Sequence, residues 1–388
     1  MGVFSGPKVV EDGLVLSLDP GNIFKSVDST SNNFLQNGSF AGGLGVTYEA
    51  GSTPTNTIIE LENPGDSNYV LRQNGSNTEY QMNIDGGAQG TLSAGTQYVM
   101  SGWYATSDDY DGGDTMFHAR AFSSSDAHIS TGTGIGTLLY SIEVGGLTWE
   151  YRYQTITTPS DYNENFDWYM GYGTTNTTGY RYYTGLKVEE GSFPSLLDLS
   201  RNGNDAKVIN GTSYSSDNGG SLVFDGSDDY IPLVDNFGDP QQFTIEFWAY
   251  PTQLNFDSNN NYRRIFIPVG ASSNGTHSIL IEQSGNISFR VPGGTNTNMQ
   301  GSGFSGVNQW GHVVCTYDQS NKKIYFNGSL KNTVAEASVT VDFGSPQIVD
   351  PNGQTFKGNI SNFRIYNRAL SASEIQQNFN AHRGRFGI

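Results

Sequence analysis

Three aspartates stand close together in the stretch SLVFDGSDDYI, residues 221–231, between two short apolar runs. Such carboxylates could hold Ca²⁺, which prefers hard oxygen ligands, could act as catalytic acids, or could bond the backbone of a tight turn. Asp225-Gly226 favours the turn, because both residue types tolerate the backbone that a tight turn needs. We therefore expect the tip of a hairpin here, with Asp225 and Asp228 as the best ligands if a calcium ion binds.

A second acidic stretch, SDDYDGGD at residues 107–114, is a further candidate calcium site. Closely spaced carboxylates repel one another unless water or a cation screens them. The alternatives are a solvated loop and a calcium site with Asp108, Asp109 and Asp111 as ligands. A third stretch, NFDSNNNYRRIF at residues 255–266, begins like an EF-hand but lacks glycine at its sixth position, and Pro268 stands where the bidentate glutamate should be. That third candidate is excluded.

The sequence offers little for bond-breaking chemistry. A glycosidase needs two carboxylates facing each other across the sugar, and the strand-like run FTIEFWAY, residues 243–250, holds only Glu246. The five histidines show no metal-ligand spacing, and neither a serine nucleophile elbow nor a phosphate-binding glycine loop is present. Cys315, the one cysteine, lies in the alternating run HVVCTY and is predicted to be a buried strand residue. We expect no enzyme.

Sugar binding matches the residue types better, because aromatic faces stack on pyranose rings while Asn, Asp and Gln bond the hydroxyls. The aromatic residues predicted to contact carbohydrate are Trp103, Tyr104, Trp149, Tyr151, Tyr153 and Trp168. Alternation puts Trp149, Tyr151 and Tyr153 on one face of a strand. The alternative is that this face is core, since a sandwich needs large aromatics inside. Trp248 and Trp310 are predicted to be core or inter-sheet residues.

The elements that position these candidates are expected to be β-strands. Of the 388 residues, 13% are aromatic, 15% are charged and 49 are glycine, which is typical of an all-β, turn-rich protein. The formal net charge of −18 repels nucleic-acid phosphates, so DNA or RNA binding is not expected. No stretch is apolar enough to span a bilayer, and MGVFSGPKVVEDG lacks the basic and apolar regions of a signal peptide.

Period-two alternation predicts strands at GLVLSLD, FTIEFWAY, HVVCTYD and NISNFRIYN. In FTIEFWAY, alternation separates two faces, one with Phe243, Ile245 and Phe247 and the other with Thr244, Glu246 and Trp248. Asn327-Gly328, between two strand-like runs, is a strong hairpin signal. Ser371-Ala-Ser-Glu374 reads as a capping box that starts one short helix near the C-terminus, with Ile375 and Phe379 on the same face.

The runs SLVFDGSDDYI, FTIEFWAYP, QWGHVVCTYD, KKIYFNGSL and GNISNFRIYNRALSASEIQQNF resemble, in that order, the laminin-G-like group of the concanavalin A-like sandwich. GLVLSLDPGN and DLSRNGNDAKVINGTSY look like the lead-in strands of the version found in tailed-bacteriophage structural proteins. Between them, NFLQNGSF, TQYVMSGWYA, LTWEYRYQTITTP and YRYYTGLKVEEGS look like strands of jelly-roll carbohydrate-binding modules. We therefore predict an all-β fold in which residues 1–31 and 192–388 form a laminin-G-like β-sandwich, interrupted by a β jelly roll at 32–191.

The resemblance implies a non-enzymatic structural protein of a tailed bacteriophage, placed on the virion surface as a capsid decoration, fibre or tail component. Its lectin-like domains would bind host-surface polysaccharide. Its partners would be other capsid or tail proteins and further copies of itself, assembled in the bacterial cytoplasm without membrane insertion. Calcium is the one cofactor expected. Two alternatives stay open, a glycan-degrading depolymerase and a purely architectural cement protein with no ligand.

Overall fold

The computed structural model describes residues 8–22, 47–50, 56–65, 67–74, 79–83, 91–131, 134–173, 177–196, 198–233, 237–254, 262–269, 279–294, 299–352 and 354–388. The chain divides into two compact units. Unit 1 comprises Met1–Val27 and Ser195–Ile388, and unit 2 comprises Asp28–Pro194. The predicted division after residue 31 lies outside the described residues. Among those residues, no helix is long and apolar enough to cross a membrane.

The strands are numbered in chain order. Before and within unit 2 they are β1 Leu14–Leu18, β2 Thr47–Ala50, β3 Asn56–Glu60, β4 Tyr69–Gln73, β5 Glu79–Asn83, β6 Gln97–Thr106, β7 Ala119–Ser123, β8 His128–Ser130, β9 Thr137–Val144, β10 Leu147–Thr157, β11 Tyr162–Met170 and β12 Arg181–Glu190. Those that follow are β13 Phe193–Leu196, β14 Ala206–Val208, β15 Ser213–Ser215, β16 Ser221–Asp225, β17 Ile231–Pro232, β18 Phe243–Pro251, β19 Tyr262–Val269, β20 Ile279–Glu282, β21 Ile287–Phe289, β22 Met299–Gly301, β23 Gly311–Tyr317, β24 Asn321–Phe326, β25 Ser329–Ala335, β26 Ser345–Ile348 and β27 Lys357–Tyr366. Helix α1 spans Ala372–His382, and 3-10 turns lie at Pro20–Asn22 and Asp217–Gly219.

Two antiparallel sheets build unit 1 and confirm the all-β prediction. One has the order β15-β16-β27-β18-β23-β24-β25, with β1 paired to β27, and the other has the order β17-β26-β19-β20-β21-β22. The sheets meet through aromatic rings such as Phe363 of β27 and Phe266 of β19, whose centroids are 6.1 Å apart. The core of unit 1 therefore lies between the two sheets.

Strand β1 is part of this sandwich although a whole unit separates it from the rest in sequence. It pairs antiparallel with β27, with Leu18 opposite Phe363, and Leu16 and Leu18 are buried. The backbone N–H of Ser17 donates to Oδ1 of Asp198 at 2.9 Å. Strand β1 thus brings core side chains as well as backbone hydrogen bonds to unit 1.

Both faces of β18 are buried, and helix α1 explains why. Phe243, Ile245 and Phe247 lie on one face, as predicted, and are fully buried. On the opposite face Trp248 stacks on Phe379 of α1, with ring centroids 5.8 Å apart. The helix therefore covers the face of the sheet that solvent would otherwise reach.

The helix begins at the predicted capping box. Oγ of Ser371 accepts from the backbone N–H of Glu374, whose carboxylate accepts from the backbone N–H of Ser371 in return. Ile375 is buried on the face toward the sheet, as predicted. Cys315 is also buried, as predicted, and burial raises the pKa of its thiol.

A buried charge network holds α1 against β18. Glu246 is fully buried and accepts from Nη1 of Arg364 at 2.9 Å and from Nδ2 of Asn378 at 3.0 Å. Burial alone would raise the pKa of this carboxyl, but His312, Arg364 and Asn378 together lower it to about 2. Oδ1 of Asn378 also accepts from the backbone N–H of Val10 at 2.8 Å. The ionised carboxylate of Glu246 thus connects strands β18 and β27 with the helix, and Asn378 extends this network to the N-terminal segment.

The two predicted turns have different outcomes. Asn327-Gly328 forms the predicted hairpin between β24 and β25, with φ of 51° and 74°. The stretch 221–231 forms no hairpin, because β16 belongs to the eight-stranded sheet and β17 to the six-stranded one. Gly226 does have a positive φ of 88°. The predicted hairpin was wrong because alternation marks two strands without showing whether they pair with each other.

Unit 2 also consists of two antiparallel sheets, with the orders β3-β4-β12-β6-β10-β9 and β2-β5-β11-β7-β8. Its core lies between them, with Met100 and Tyr183 from the first sheet and Phe166 and Met170 from the second. The runs TQYVMSGWYA, LTWEYRYQTITTP and YRYYTGLKVEEGS coincide with β6, β10 and β12, whereas NFLQNGSF lies outside the described residues. The jelly-roll identity of this unit stays a prediction.

Candidate functional site

An open pocket of about 570 Å³ lies in unit 1 beside the end of β18. This volume is within the range of small-molecule sites, about 300–1,000 Å³. The polar residues that line it are Asp217, Asn218, Asn308, Gln309, Asn327 and Asn359. The aromatic residues are Tyr250, Trp310 and Phe386, and Gly387 and Ile388 complete the wall. We call this site the Trp310 pocket.

A row of aromatic rings supports the pocket from the core. Trp310, which is half-buried, packs on Phe386 with ring centroids 4.5 Å apart, and Phe386 stacks on fully buried Trp248 at 4.3 Å. On its other side Trp310 contacts Tyr250 at 5.4 Å, with the two rings inclined by 48°. Because each ring is held by the next, Trp310 and Tyr250 form a fixed, bent aromatic wall.

Two amide side chains of the pocket are oriented by the protein itself. Oδ1 of Asn327 accepts from the backbone N–H of His312 at 2.9 Å, and Nδ2 of Asn359 donates to Oγ of Ser221 at 2.9 Å. Within the described part of the chain, Nδ2 of Asn327 and Oδ1 of Asn359 have no hydrogen-bond partner. The pocket therefore offers one positioned donor and one positioned acceptor, which suits a ligand with hydroxyl groups.

One lining residue has a charged side chain. Among the described residues that line the pocket, Asp217 is the only Asp, Glu, Lys, Arg or His, and it is exposed. The backbone N–H of Asp217 donates to Oγ of Ser215, which helps to hold the 3-10 turn that carries it. The described lining side chains thus include one carboxylate and no basic group.

The sequence gives no prediction of this pocket, since Trp248 and Trp310 are predicted to be core or inter-sheet residues. Trp248 is fully buried, as predicted, whereas Trp310 packs against the same cluster but is only half-buried and also lines the pocket. One feature of the sequence could have indicated a ligand-binding role for Trp310. It follows the polar pair Asn308-Gln309 at the end of a glycine-rich loop, directly before β23. Loop ends on a rigid sheet are common places for ligand-binding residues.

The aromatic residues predicted to contact carbohydrate do not form an exposed platform. Those that are at most 5% exposed are Trp103, Tyr104, Trp149, Tyr151 and Trp168. A ring without an exposed face cannot stack on a sugar, so these five do not form a binding platform in this structure, which corrects the prediction. Tyr104 and Trp168 belong to the core between the two sheets of unit 2, whereas Trp103, Trp149 and Tyr151 are buried outside that core. Trp168, for example, stacks on Phe117 at 5.6 Å and donates from Nε1 to the carbonyl of Met116. Tyr153 is half-buried and contacts Phe193 edge-on.

The aspartates of the stretch 221–231 converge. One carboxylate oxygen from each of Asp225, Asp228 and Asp229 lies within 4.8 Å of the other two. Asp225 and Asp228 are exposed, whereas Asp229 is fully buried. Oδ2 of Asp229 accepts from the backbone N–H of Asp225 at 2.7 Å, and within the described residues its Oδ1 is buried without a partner. Burial, with the charges of Asp225 and Asp228, raises the pKa of Asp229 to about 6.

The second acidic stretch behaves differently. Both carboxylate oxygens of Asp111 accept hydrogen bonds from Thr177, and one of them also accepts from the backbone N–H of Thr178. These bonds, led by the Thr177 hydroxyl, lower the pKa of Asp111 to about 2. Oδ1 of Asp109 accepts from Ser107, and Asp108 is exposed. In the described residues these carboxylates do not converge as a metal-ligand group, and both alternatives for this stretch stay predictions.

Comparison with known proteins identifies the fold of unit 1. A family model described as the concanavalin A-like lectin/glucanases superfamily, Laminin_G_3, matches residues 225–376. The fold of this part of the chain is therefore concanavalin A-like, as predicted from its motifs. The family description includes lectins and glucanases, so the match does not choose between binding and hydrolysis. No curated protein matches the sequence.

Solved structures similar to this chain cover only part of it. The binding domain of paraclostridial mosquitocidal protein 1 is 18% identical, covers 48% of this chain and 49% of its own, and has a TM-score of 0.40. The receptor-binding domain of botulinum neurotoxin type G is 20% identical, covers 47% and 48%, and has a TM-score of 0.38. Trypanosoma rangeli sialidase is 19% identical, covers 49% and 31%, and has a TM-score of 0.38. The chain spans half or less of the length of each.

Proposed function

We propose that this protein is a non-enzymatic, glycan-binding structural protein on the outside of a bacteriophage particle, and that it binds host-surface glycans through the Trp310 pocket. The observation that carries this proposal is the combination of a fixed aromatic wall with oriented amides in one open pocket. Pyranose rings have an apolar face that packs on an aromatic ring and hydroxyl edges that both donate and accept hydrogen bonds. Tyr250 and Trp310 meet the first requirement, and Asn327 and Asn359 meet the second.

The pocket argues against the depolymerase alternative. Hydrolysis of a glycosidic bond uses two carboxyl groups on opposite sides of the sugar. Asp217 is the only acid that lines the Trp310 pocket. Glu246, the one acid of β18, is fully buried and paired with Arg364. A bound glycan should therefore be held in this pocket without being cleaved.

Replacing Trp310 by alanine should weaken glycan binding about tenfold or more. The substitution removes one side of the aromatic wall, and buried aromatic contacts of this kind contribute on the order of 1–2 kcal/mol. The measurement is a glycan-array screen with the intact chain, followed by titration of the best oligosaccharide with wild type and variant. Reducing-end release during the titration would count against the non-enzymatic assignment.

The matched control is Trp310→Phe, which keeps an aromatic face at the same position. We expect it to retain most of the affinity that Trp310→Ala loses, while both variants keep the wild-type unfolding midpoint to within a few degrees. Binding that is unaffected by Trp310→Ala would place the glycan site elsewhere. If the array detects no glycan for wild type, the purely architectural alternative is favoured.

The placement on a phage particle rests on the two lead-in runs of unit 1. GLVLSLDPGN contains β1, and DLSRNGNDAKVINGTSY contains β14 and the start of β15. These two runs lie together, since the backbone N–H of Ser17 donates to Oδ1 of Asp198 at 2.9 Å and Nδ2 of Asn204 donates to the carbonyl of Val15 at 2.7 Å. Many copies on one particle would strengthen weak individual sugar contacts through avidity. A reconstruction of purified particles that carries this chain on its outer surface would support the placement, and absence of the chain from purified particles would contradict it.

We also propose that Asp225, Asp228 and Asp229 bind Ca²⁺. Three carboxylate oxygens within 4.8 Å of one another suit a hard dication. The buried, unpartnered Oδ1 of Asp229 points to the same conclusion, because an unpaired buried polar atom is costly. A bound ion would offset the mutual repulsion of the three acids, and it would hold the segment that crosses from one sheet to the other.

Adding about 10 mM Ca²⁺ should raise the unfolding midpoint of unit 1 by several degrees. For a site with a Kd of about 0.1 mM, this concentration stabilises the folded state by about 2.7 kcal/mol. The measurement is a thermal unfolding scan with Ca²⁺, with Mg²⁺ and with a chelator. Asp225→Asn together with Asp228→Asn should abolish the shift, whereas the control Asp108→Asn should leave it intact. A shift that survives the double substitution would rule out this site.

A further inference from the structure

The charges around the Trp310 pocket carry one inference that rests on the proposed function and makes it more specific. A cation at the binding site favours a glycan that bears a carboxylate or sulfate, because hydrogen bonds between charged groups are stronger than neutral ones. Among the described residues that line the pocket there is no lysine, arginine or histidine, and Asp217 adds a negative charge.

One cation beside the pocket, Arg385, lies 5.0 Å from the ring of Phe386 and is already hydrogen-bonded. Arg385 precedes Phe386 in the chain, but its Nη1 pairs with Asp19 at 2.9 Å and its Nε donates to the carbonyl of Asn218 at 2.6 Å. Its Nη2 donates to the carbonyl of Gly220. An anionic sugar could pair with Arg385 only by breaking these hydrogen bonds, and their loss would cost free energy.

Three polar atoms of the lining suit uncharged hydroxyls. Nδ2 of Asn327 donates, Oδ1 of Asn359 accepts, and the Asp217 carboxylate accepts. A hydroxyl group can satisfy either kind of partner, whereas a carboxylate can only accept. Two of these three positions would therefore repel or fail to bond an anionic group. From the aromatic wall, the two oriented amides and the lone carboxylate, we infer that the Trp310 pocket selects neutral hexose residues and excludes sugars that carry a carboxylate or a sulfate.

The test uses matched pairs of oligosaccharides that share one neutral core, with and without a terminal uronic acid, sialic acid or sulfate. The intact protein should bind the neutral member of each pair at least tenfold more tightly. Asp217→Asn should reduce the ratio of the acidic to the neutral member's dissociation constant by about two- to fivefold, because it removes the repulsion of the acidic member. The effect should be this small because the charge of an exposed carboxylate is screened by solvent and salt. Glu11→Gln, which changes the net charge equally but lies outside the pocket, should leave this ratio unchanged.

The outcomes separate this inference from the proposed function. If acidic glycans bind as tightly as neutral ones or more tightly, and Trp310→Ala abolishes their binding, the pocket is a glycan site and the neutral selectivity is wrong. If neutral glycans are preferred but neither Trp310→Ala nor Asp217→Asn changes the preference, the selecting site is not this pocket. If no member of any pair binds, both the proposed function and this inference fail.

Discussion

Replacing both Leu16 and Leu18 by alanine is expected to unfold residues 195–388 while residues 28–194 stay folded. Both side chains are buried in the sandwich of unit 1, at 0% and 1% exposure, although they lie at the other end of the chain. Each truncation of a buried leucine costs about 2–5 kcal/mol. The two together approach the whole stability of an ordinary domain, about 5–15 kcal/mol.

Hydrogen exchange followed by mass spectrometry measures this directly. In the double variant, amide protection should fall throughout β16, β18, β23 and β27, and β6, β10 and β12 of unit 2 should keep theirs. The control Leu330→Ala removes the same atoms from a side chain that is 53% exposed, so it should change stability by about 0.5 kcal/mol or less. Protection lost in β1 alone would mean that this strand is an appendage and not part of the sandwich.

Replacing Glu246 by methionine should destabilise unit 1 by about 3–5 kcal/mol. The carboxylate is the partner of Arg364, whose side chain is only 3% exposed, so its removal leaves a buried cation without a counter-charge. The same change removes the carboxylate to which the Asn378 amide donates, leaving the Tyr366 hydroxyl as an acceptor, and loosens α1 from β18. The measurement is equilibrium denaturation in urea, followed through the tryptophans of the unit.

A double substitution separates lost charge pairing from lost packing. In Glu246→Met with Arg364→Met no buried charge remains, so the double variant should recover part of the stability that the single variant loses. Lys323→Ala breaks a partly exposed ion pair with Asp318 in the same unit and should cost about 1 kcal/mol or less. A double variant less stable than Glu246→Met would contradict the charge argument.

The sequence predicts well those features that nearby residues encode. Alternation in FTIEFWAY indicates the two faces of β18, Asn327-Gly328 indicates a hairpin, and Ser371 with Glu374 indicates where α1 begins. All three are present in the structure. Each depends on contacts within a few residues or on the period of a strand, so a short window holds the necessary information.

Features that depend on distant pairing were predicted less well. Residues 221–231 cross between sheets, and only the pairing of β16 with β27 and of β17 with β26 reveals this. The Trp310 pocket draws its walls from segments around residues 217, 250, 310, 327, 359 and 386. None of these segments has a ligand-binding motif by itself. Large aromatics in strands were predicted to bind sugar, but five of the six are buried within unit 2, and alternation alone cannot show which faces of a strand are covered.

The pairing of β1 with β27 has a consequence for how the chain is made. On the ribosome the partner strand of Leu14–Leu18 emerges roughly 340 residues after it, which at about 5–20 residues per second is a delay of tens of seconds. Unit 2 is complete in the nascent chain well before that moment, whereas unit 1 must wait for β27. Strand β1 therefore has to remain without this partner during the delay, and its short length limits the chance that it pairs with a neighbouring chain on the same message.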